Sequence, residues 1–195
     1  MKNNSVLGID PGLDRTGWAV LEGNGAAGFV LHACGLIHTD KESPLPVRLE
    51  QIYREVSKVA ADFKPNSAAM EEMFFLKRAV RVAHTVQARG VILLALHQQG
   101  LEVSSYQPKQ VKAALCGSGA ADKKQMQRMV QLTLKLKSPL NPDDVADAAA
   151  IAVCHLKTAP IKAKMNVQKQ FLEKIKEARA QQLAKIKKQP LPRQK

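Results

Sequence analysis

Long apolar runs are missing from this sequence, and cysteine is scarce. No stretch reaches the roughly 18 apolar residues that a membrane-spanning helix needs, and we expect neither a membrane segment nor a signal peptide. The three cysteines, Cys34, Cys116 and Cys154, are an odd number without paired spacing. This pattern excludes a disulfide framework and favours a reducing, cytoplasmic location. The five histidines lack the spacing of a zinc site.

Acidic residues are also few, and the resulting positive charge is unevenly distributed. The chain of 195 residues has 30 Lys and Arg against 17 Asp and Glu, a net charge of +13. Residues 157–195 contain 12 of these cations and only two acids. Clustered cations gain affinity for polyanions by displacing phosphate counterions, so we expect a nucleic-acid partner. For the tail, residues 158–195, a basic amphipathic helix and a disordered basic segment are both open.

The hydrophobic content, 45%, is enough for one domain with a sizeable core, which we place at residues 1–157. Apolar and alternating runs predict strands at 5–10, 18–22, 28–39, 66–71 and 101–106, with a turn over 12–17. Periodic patterns predict helices after Pro46, at 77–99, between 106 and 116, at 122–136, and from Asn141 (N-cap) and Pro142 (first helical residue) to 156. Three hairpin-connected strands followed by helical crossovers predict an α/β fold, with a mixed five-stranded sheet and helices on both faces.

Acids stand at the ends of elements that should otherwise be buried. Asp10 ends the run V-L-G-I-D, and Glu71 ends the run S-A-A-M-E. Asp144 and Asp147, three residues apart, share one face of a predicted helix. Crowded acids repel one another, and a hard divalent cation bound through oxygen relieves that repulsion. In a chain this basic, the pattern indicates metal-assisted cleavage of nucleic acid.

Two of these positions have competing interpretations. Glu71 is followed by Glu72, and strand alternation lets only one of them face a shared site, but the local sequence favours neither. Asp144 lies in a first helical turn, where an acid also stabilises the helix dipole by about 0.3–1 kcal/mol. Asp147 lies one turn further along in an apolar run, where an acid is costly unless it is solvated or bound.

Two lysines and two aromatic residues are further candidates for binding nucleic acid. Lys112 and Lys123 lie near flexible segments and could hold a scissile phosphate, although a single lysine is more often solvated surface. Phe74 and Phe75 follow Glu71 at the start of a predicted loop. An exposed aromatic ring there could stack on an unpaired base, although core packing is the competing explanation.

Six motifs in order resemble the RuvC family of crossover junction endodeoxyribonucleases, in the ribonuclease H-like superfamily. They are G-I-D-P-G-L-D-R-T-G-W-A-V at 8–20, M-E-E-M-F at 70–74, Q-A-R-G at 87–90, Y-Q-P-K-Q-V-K at 106–112, G-S-G-A-A-D-K-K-Q-M at 117–126 and N-P-D-D-V-A-D-A-A-A-I-A at 141–152. Together they cover about residues 5–157 with compatible spacing, which makes the set specific where no single motif is. The tail departs from the family pattern, because it is longer and more basic.

The resemblance implies a ribonuclease H-like enzyme that resolves four-way (Holliday) DNA junctions by nicking two strands symmetrically, in recombination and repair. It implies Mg²⁺, replaceable by Mn²⁺, with two ions per active site. The implied ligands and catalytic residues are Asp10, Glu71, Asp144 and Asp147. The E-x-x-F pattern of the family selects Glu71 over Glu72.

The resemblance also implies binding residues and partners. Phe74 matches a position that meets junction bases, and Lys112 and Lys123 match cations near the cleaved phosphate. The helix at 77–99 matches the helix that forms the family's homodimer. Branch-migration proteins, RuvA and RuvB, are implied as partners. Two alternatives stay open: another ribonuclease H-like nuclease, acting on RNA or RNA–DNA hybrids, and a catalytically silent DNA-binding module.

Overall fold

The computed structural model describes residues 4–72 and 79–160, together with Lys176. The chain divides into two compact units, Met1–Lys157 and Thr158–Lys195. The first unit contains the sheet and the candidate residues that the structure describes. Among the described residues, none of the helices combines the length and apolar character needed to cross a bilayer. Cys34 and Cys116 are half-buried, and Cys154 is buried.

Five strands form one sheet with the order β3-β2-β1-β4-β5. The strands are β1 (Asn4–Asp10), β2 (Arg15–Gly23), β3 (Phe29–His38), β4 (Ser67–Glu71) and β5 (Val103–Tyr106). The β1–β2 and β2–β3 pairs are antiparallel, whereas the β1–β4 and β4–β5 pairs are parallel. The predicted mixed five-stranded sheet is therefore confirmed.

Helices cover both faces of this sheet, as predicted. They are α1 (Leu45–Phe63), α2 (Ala79–Gln98), α3 (Pro108–Cys116), α4 (Lys123–Thr133) and α5, which begins at 143 and is described to 160. Alternation along β1 supplies both cores, since Val6 packs in the core with α3, α4 and α5, and Leu7 packs with α1 and α2. Both side chains are fully buried.

Three predicted boundaries were wrong. Helix α1 begins at Leu45, so that Pro46 lies in its first turn and does not precede it. Strand β2 begins at Arg15, within the segment predicted as a turn, because Gly17 pairs with Asp10 across the hairpin and Thr16 is fully buried. Helix α5 begins at 143 rather than at Pro142, and the backbone N–H of Val145 donates to the Pro142 carbonyl at 3.0 Å. Pro142 therefore precedes the helix instead of opening it, and Asn141 is not the N-cap.

Two glycines bring α5 against the sheet at close range. A Cβ at Gly8 would lie 2.3 Å from the carbonyl oxygen of Ala148, and one at Gly17 would lie 2.0 Å from that of Asp144. No larger residue fits either position without moving the helix. The alanine-rich run of α5 completes this contact, and Ala148 and Ala152 are fully buried. The packing places the first turns of α5 beside the end of β1.

Candidate active site

Asp10 and Glu71 lie at the same edge of the sheet. Each is the last residue of its strand, and β1 and β4 are parallel neighbours in which Ile9 pairs with Met70. Parallel strands end on the same side of a sheet, so the two acids follow adjacent paired positions. The tight approach of α5 to Gly17 brings Asp144, and one turn later Asp147, to this edge.

The electrostatics of Asp10 show that the four acids act on one another. Burial first, and then the charges of Asp147, Glu71 and Asp144 in that order, together raise the pKa of Asp10 from its usual value of 3.8 to about 8. Lys123 opposes the shift. A carboxylate in this position is expensive to ionise unless a cation compensates it.

Glu71 and Asp147 respond in the same direction. Burial and the charge of Asp147 raise the pKa of Glu71, while Arg89 and Lys112 lower it. Burial also raises the pKa of Asp147, against the lowering influence of Lys123. Because Glu71 interacts with both Asp10 and Asp147, it is the acid at this strand end that faces the cluster, which the local sequence had left undecided between Glu71 and Glu72.

Ion pairs screen the helix acids from one another. Lys123 contacts Asp143 and has its Nζ 3.7 Å from Asp147 Oδ2. Arg15 Nη2 lies 3.2 Å from Asp143 Oδ1 and also contacts Asp144. The sequence predicted Lys123 but missed Arg15 and the bridging role of Asp143. The available signal for Arg15 was its place in the motif that contains Asp10.

Arg89 on α2 is a further residue that sequence reasoning missed. Its Nη1 donates to the backbone carbonyl of Glu71 at 2.5 Å, and its Nη2 donates to Ser105 Oγ at 2.8 Å. The guanidinium therefore connects the ends of β4 and β5 and lowers the pKa of the adjacent Glu71 carboxyl. Its signal was the Q-A-R-G motif, in which no role for the arginine was recognised.

Both predicted lysines line a pocket together with two of the acids. The pocket has a volume of about 210 Å³ and is lined by Glu71, Pro108, Val111, Lys112, Lys123, Met126, Asp147 and Ile151. Its combination of acids and cations suits a phosphodiester next to a cation site. Phe74 and Phe75 lie outside the described residues.

The donor chemistry of the cluster fits a hard divalent cation. All four acids offer oxygen ligands, and Asp144 Oδ2 is buried without a hydrogen bond, although the guanidinium of Arg15 contacts it. Within residues 4–72 and 79–160, no three Asp, Glu, His or Cys side chains are gathered tightly enough to hold one ion. Asp144 and Asp147 instead have Arg15 and Lys123 as neighbours, so metal binding requires these side chains to rearrange.

Known proteins resemble the chain over the same region. A family model described as "Crossover junction endodeoxyribonuclease RuvC" matches residues 6–155, which include all four acids. A curated protein of that description from Roseiflexus sp. (strain RS-1) is 47% identical over 162 residues, covering 83% of this chain and 95% of that protein.

Two solved structures resemble the fold as well. Thermus thermophilus RuvC matches with a TM-score of 0.75 and 36% identity, over 81% of this chain and 96% of that one. The same protein in complex with a Holliday junction substrate matches with a TM-score of 0.74 and 32% identity, over 80% of this chain and 96% of that one.

Proposed function

The chain belongs to the RuvC family of crossover junction endodeoxyribonucleases, and we propose that Asp10, Glu71, Asp144 and Asp147 form the centre with which it resolves Holliday junctions. The family consists of metal-dependent nucleases that act in DNA recombination. The observation that carries the assignment of these residues is the raised pKa of Asp10, about 8, which comes from burial and from three carboxylate neighbours. Asp144 and Asp147 have Arg15 and Lys123 as ion-pair partners, but the buried Asp10 lies among the charges of Asp147, Glu71 and Asp144, as the ligands of one cation do.

The proposed cofactor is Mg²⁺, with Mn²⁺ as a substitute and two ions per active site. When bound, the ions supply an activated water and stabilise the leaving 3′ oxygen. The chain's own contribution is to hold four oxygen-donor side chains at one sheet edge, two on strand ends and two on α5. Burial of the cluster excludes bulk water and strengthens these electrostatic interactions. The products are a 5′-phosphate and a 3′-hydroxyl.

Lys112 and Lys123 are the proposed phosphate-binding residues. Both line the pocket that Glu71 and Asp147 share, so a phosphodiester in this pocket meets cations beside the acids. Lys123 already interacts with Asp143 and Asp147, and a phosphate there would compete with these acids for the ammonium group. Phe74 is proposed to stack on a junction base.

A homodimer is the proposed assembly, since two symmetric nicks require two active sites. Helix α2 corresponds to the helix that the family resemblance assigns to dimer formation, and its Leu94 is 52% exposed, which makes it a position for a test. Leu94→Arg should convert the dimer to a monomer in sedimentation experiments. Cytoplasmic location and the partners RuvA and RuvB complete the proposal.

Cleavage of a synthetic mobile four-way junction tests the function. The purified chain is incubated with the junction, a matched linear duplex and an RNA–DNA hybrid, in Mg²⁺ and in EDTA. Paired, symmetric nicks on the junction alone, lost in EDTA, are the expected result. Cleavage of the hybrid instead would favour an RNA-directed nuclease, and junction binding without nicks in Mg²⁺ or Mn²⁺ would favour a silent binding module.

The tail, residues 158–195, is proposed to add affinity for DNA of any sequence. The 11 Lys and Arg in it face only two acids, so phosphate contacts would release counterions. Removal of the residues after Lys157 should flatten the dependence of junction affinity on salt concentration. An unchanged slope would count against this role.

A further inference from the structure

Arg15 covers a carboxylate oxygen that a cation would need. Its guanidinium contacts Asp144 Oδ2, a buried atom without a hydrogen bond, and lies 3.2 Å from Asp143 Oδ1. The Arg15 side chain is itself 42% exposed. A long, half-exposed side chain leaves such a contact at low cost, because water and other anions reach it. The contact is therefore reversible and excludes a second cation at the same oxygen.

Arg15 also lines a second pocket, beside the turn between β1 and β2. This pocket, about 570 Å³, is lined by Gly12, Leu13, Asp14, Arg15, Lys41, His84 and Thr85. Lys41 is 69% exposed, and its Nζ lies 3.3 Å from Asp14 Oδ2. The pocket offers one arginine and one lysine at its surface, which suits an anion of the size of a backbone phosphate.

The wall of this pocket is rigidly held. Thr39 Oγ1 donates to the backbone carbonyl of Leu13 at 2.6 Å, and the Thr39 N–H donates to that of Asp14 at 3.1 Å. Arg48 on α1, only 7% exposed, donates from Nε to Thr39 Oγ1 at 2.9 Å and contacts Asp14. A buried network of this kind keeps the turn in one position, so the pocket exists before DNA binds.

We propose that this pocket is a subsite for a backbone phosphate beside the cleaved one, and that Arg15 exchanges between Asp144 and that phosphate. The inference rests on the proposed function, since it takes DNA as substrate and Asp144 as a metal ligand. A guanidinium donates its planar fork to a carboxylate or to a phosphate, and a phosphate on the DNA strand draws it away from Asp144. Binding of DNA and binding of divalent cations thereby strengthen each other.

Binding of Mn²⁺ without DNA tests the first half of the exchange. Free Mn²⁺ is measured by electron paramagnetic resonance in titrations of the full chain. Arg15→Gln should bind Mn²⁺ about two- to fivefold more tightly, because a competing cation is gone. Lys41→Gln is the matched control and should bind Mn²⁺ as the unmodified chain does, since Lys41 pairs with Asp14. Unchanged or weaker Mn²⁺ binding by Arg15→Gln would overturn the proposal.

Junction affinity in EDTA, measured by fluorescence anisotropy over a salt series, tests the second half. Arg15→Gln and Lys41→Gln should each lower the affinity for the junction. Each should also reduce the slope of log binding constant against log salt concentration by about 0.9, which corresponds to the loss of one phosphate contact. Arg15→Lys should restore most of the slope. Lys58→Gln, which removes an exposed lysine paired with Asp62 on α1, should change neither quantity. A full slope in either pocket variant overturns the subsite.

Nicking by the unmodified chain keeps the two proposals apart. The same junction is incubated with the unmodified chain in Mg²⁺, in parallel with the binding measurements. Binding without nicking would refute the proposed catalytic centre, while the Mn²⁺ and salt measurements would still decide the role of Arg15. Normal nicking together with unaltered binding by the Arg15 and Lys41 variants would refute only the subsite.

Discussion

The two ends of α5 meet the sheet through buried polar groups that are arranged in opposite ways. Near residue 155, His155 Nδ1 lies 3.0 Å from the Tyr106 hydroxyl, and its Nε2 lies 3.1 Å from Ser67 Oγ. His155 is 7% exposed and Tyr106 is 1% exposed. At the other end, burial and neighbouring acids raise the pKa values of Asp10, Glu71 and Asp147, and Asp144 Oδ2 accepts no hydrogen bond from the described residues.

This contrast separates a structural cluster from a functional one. Hydrogen bonds between Ser67, His155 and Tyr106 offset the desolvation of each group, so that end of α5 needs nothing further. The carboxylates at the other end are desolvated without enough partners, a cost that a ligand can offset. The same helix therefore anchors the domain at one end and carries two of the proposed metal ligands at the other.

The largest expected effect comes from neutralising Asp10, which lies among the other acids near the start of α5. Asp10→Asn should lower the single-turnover nicking rate of a four-way junction about 10³-fold or more, a loss of roughly 4 kcal/mol of transition-state stabilisation. It should preserve junction binding in EDTA, because the amide keeps the shape of the side chain. Asp147→Asn should behave in the same way.

Asp143→Asn is the matched control for these two variants. Asp143 is an acid on the same helix, but it is more exposed and its pKa is lowered by Lys123 rather than raised. Its replacement should cost far less activity than that of Asp10. Loss of junction binding by both Asp10→Asn and Asp147→Asn would contradict the assignment of the site.

A smaller effect is expected from moving the helix instead of its acids. A Cβ at Gly17 would lie 2.0 Å from the Asp144 carbonyl oxygen, so Gly17→Ala should displace the first turn of α5. We expect a loss of about 1–3 kcal/mol in the free energy of unfolding and a fall of up to about 10²-fold in nicking rate.

Gly23→Ala, on the same strand, is the control for this steric effect. Its nearest contact would be Leu156 Cδ2 at 3.5 Å, an ordinary van der Waals distance. Stability and nicking should change little. Equal losses in the two variants would show that strand propensity, and not the approach of α5, causes the effect.

The repulsion among the acids should also appear as a pH dependence of stability. The pKa of Asp10 is about 8 in the fold and near 3.8 when unfolded, so between these values the folded chain binds more protons. Stability in EDTA should therefore fall as pH rises from about 4 to 8, by a few kcal/mol in urea unfolding. Asp10→Asn should reduce this slope, and Glu71 and Asp147, whose pKa values are also raised, should maintain the remainder. A slope identical in Asp10→Asn and the unmodified chain would refute this origin.

The smallest effect is expected near residue 155 of α5, where the buried polar groups are hydrogen-bonded to one another. Tyr106→Phe removes the hydroxyl that partners His155 Nδ1 and should cost about 1–2 kcal/mol of unfolding free energy. The nicking rate per folded molecule should stay the same, because the acids do not move. A rate loss larger than the loss of folded protein would show that the two ends of α5 are coupled.

The local sequence predicted those features that depend on neighbouring residues. Asp10 and Glu71 each follow an apolar run, and burial of the run with an acid at its end indicates a strand that ends in a site. The mixed sheet follows from three hairpin-connected strands and the helical crossovers after them. Pattern alone also placed Asp147 inside the apolar helix, where an unpaired acid is unusual.

Features that depend on docking of distant elements were not predictable. Arg15 meets Asp143 and Asp144 only after α5 packs against Gly17, so nothing near Arg15 reveals its partners. The residues around Glu71 and Glu72 did not distinguish the two acids; the family resemblance selected Glu71, and its interaction with Asp147 supports that choice. The proposed cap at Asn141 failed because N-cap preference is a local propensity, which the chain's entry into the helix overrides.

Helix α5 packs closely on Gly8 of β1 and Gly17 of β2. This packing links activity to the order in which the chain is synthesised. Asp10 is synthesised early, whereas Asp144 and Asp147 leave the ribosome only after every strand of the sheet. A nascent chain that ends before α5 would hold only two of the four proposed ligands. On this proposal, cleavage of DNA begins only after α5 has docked.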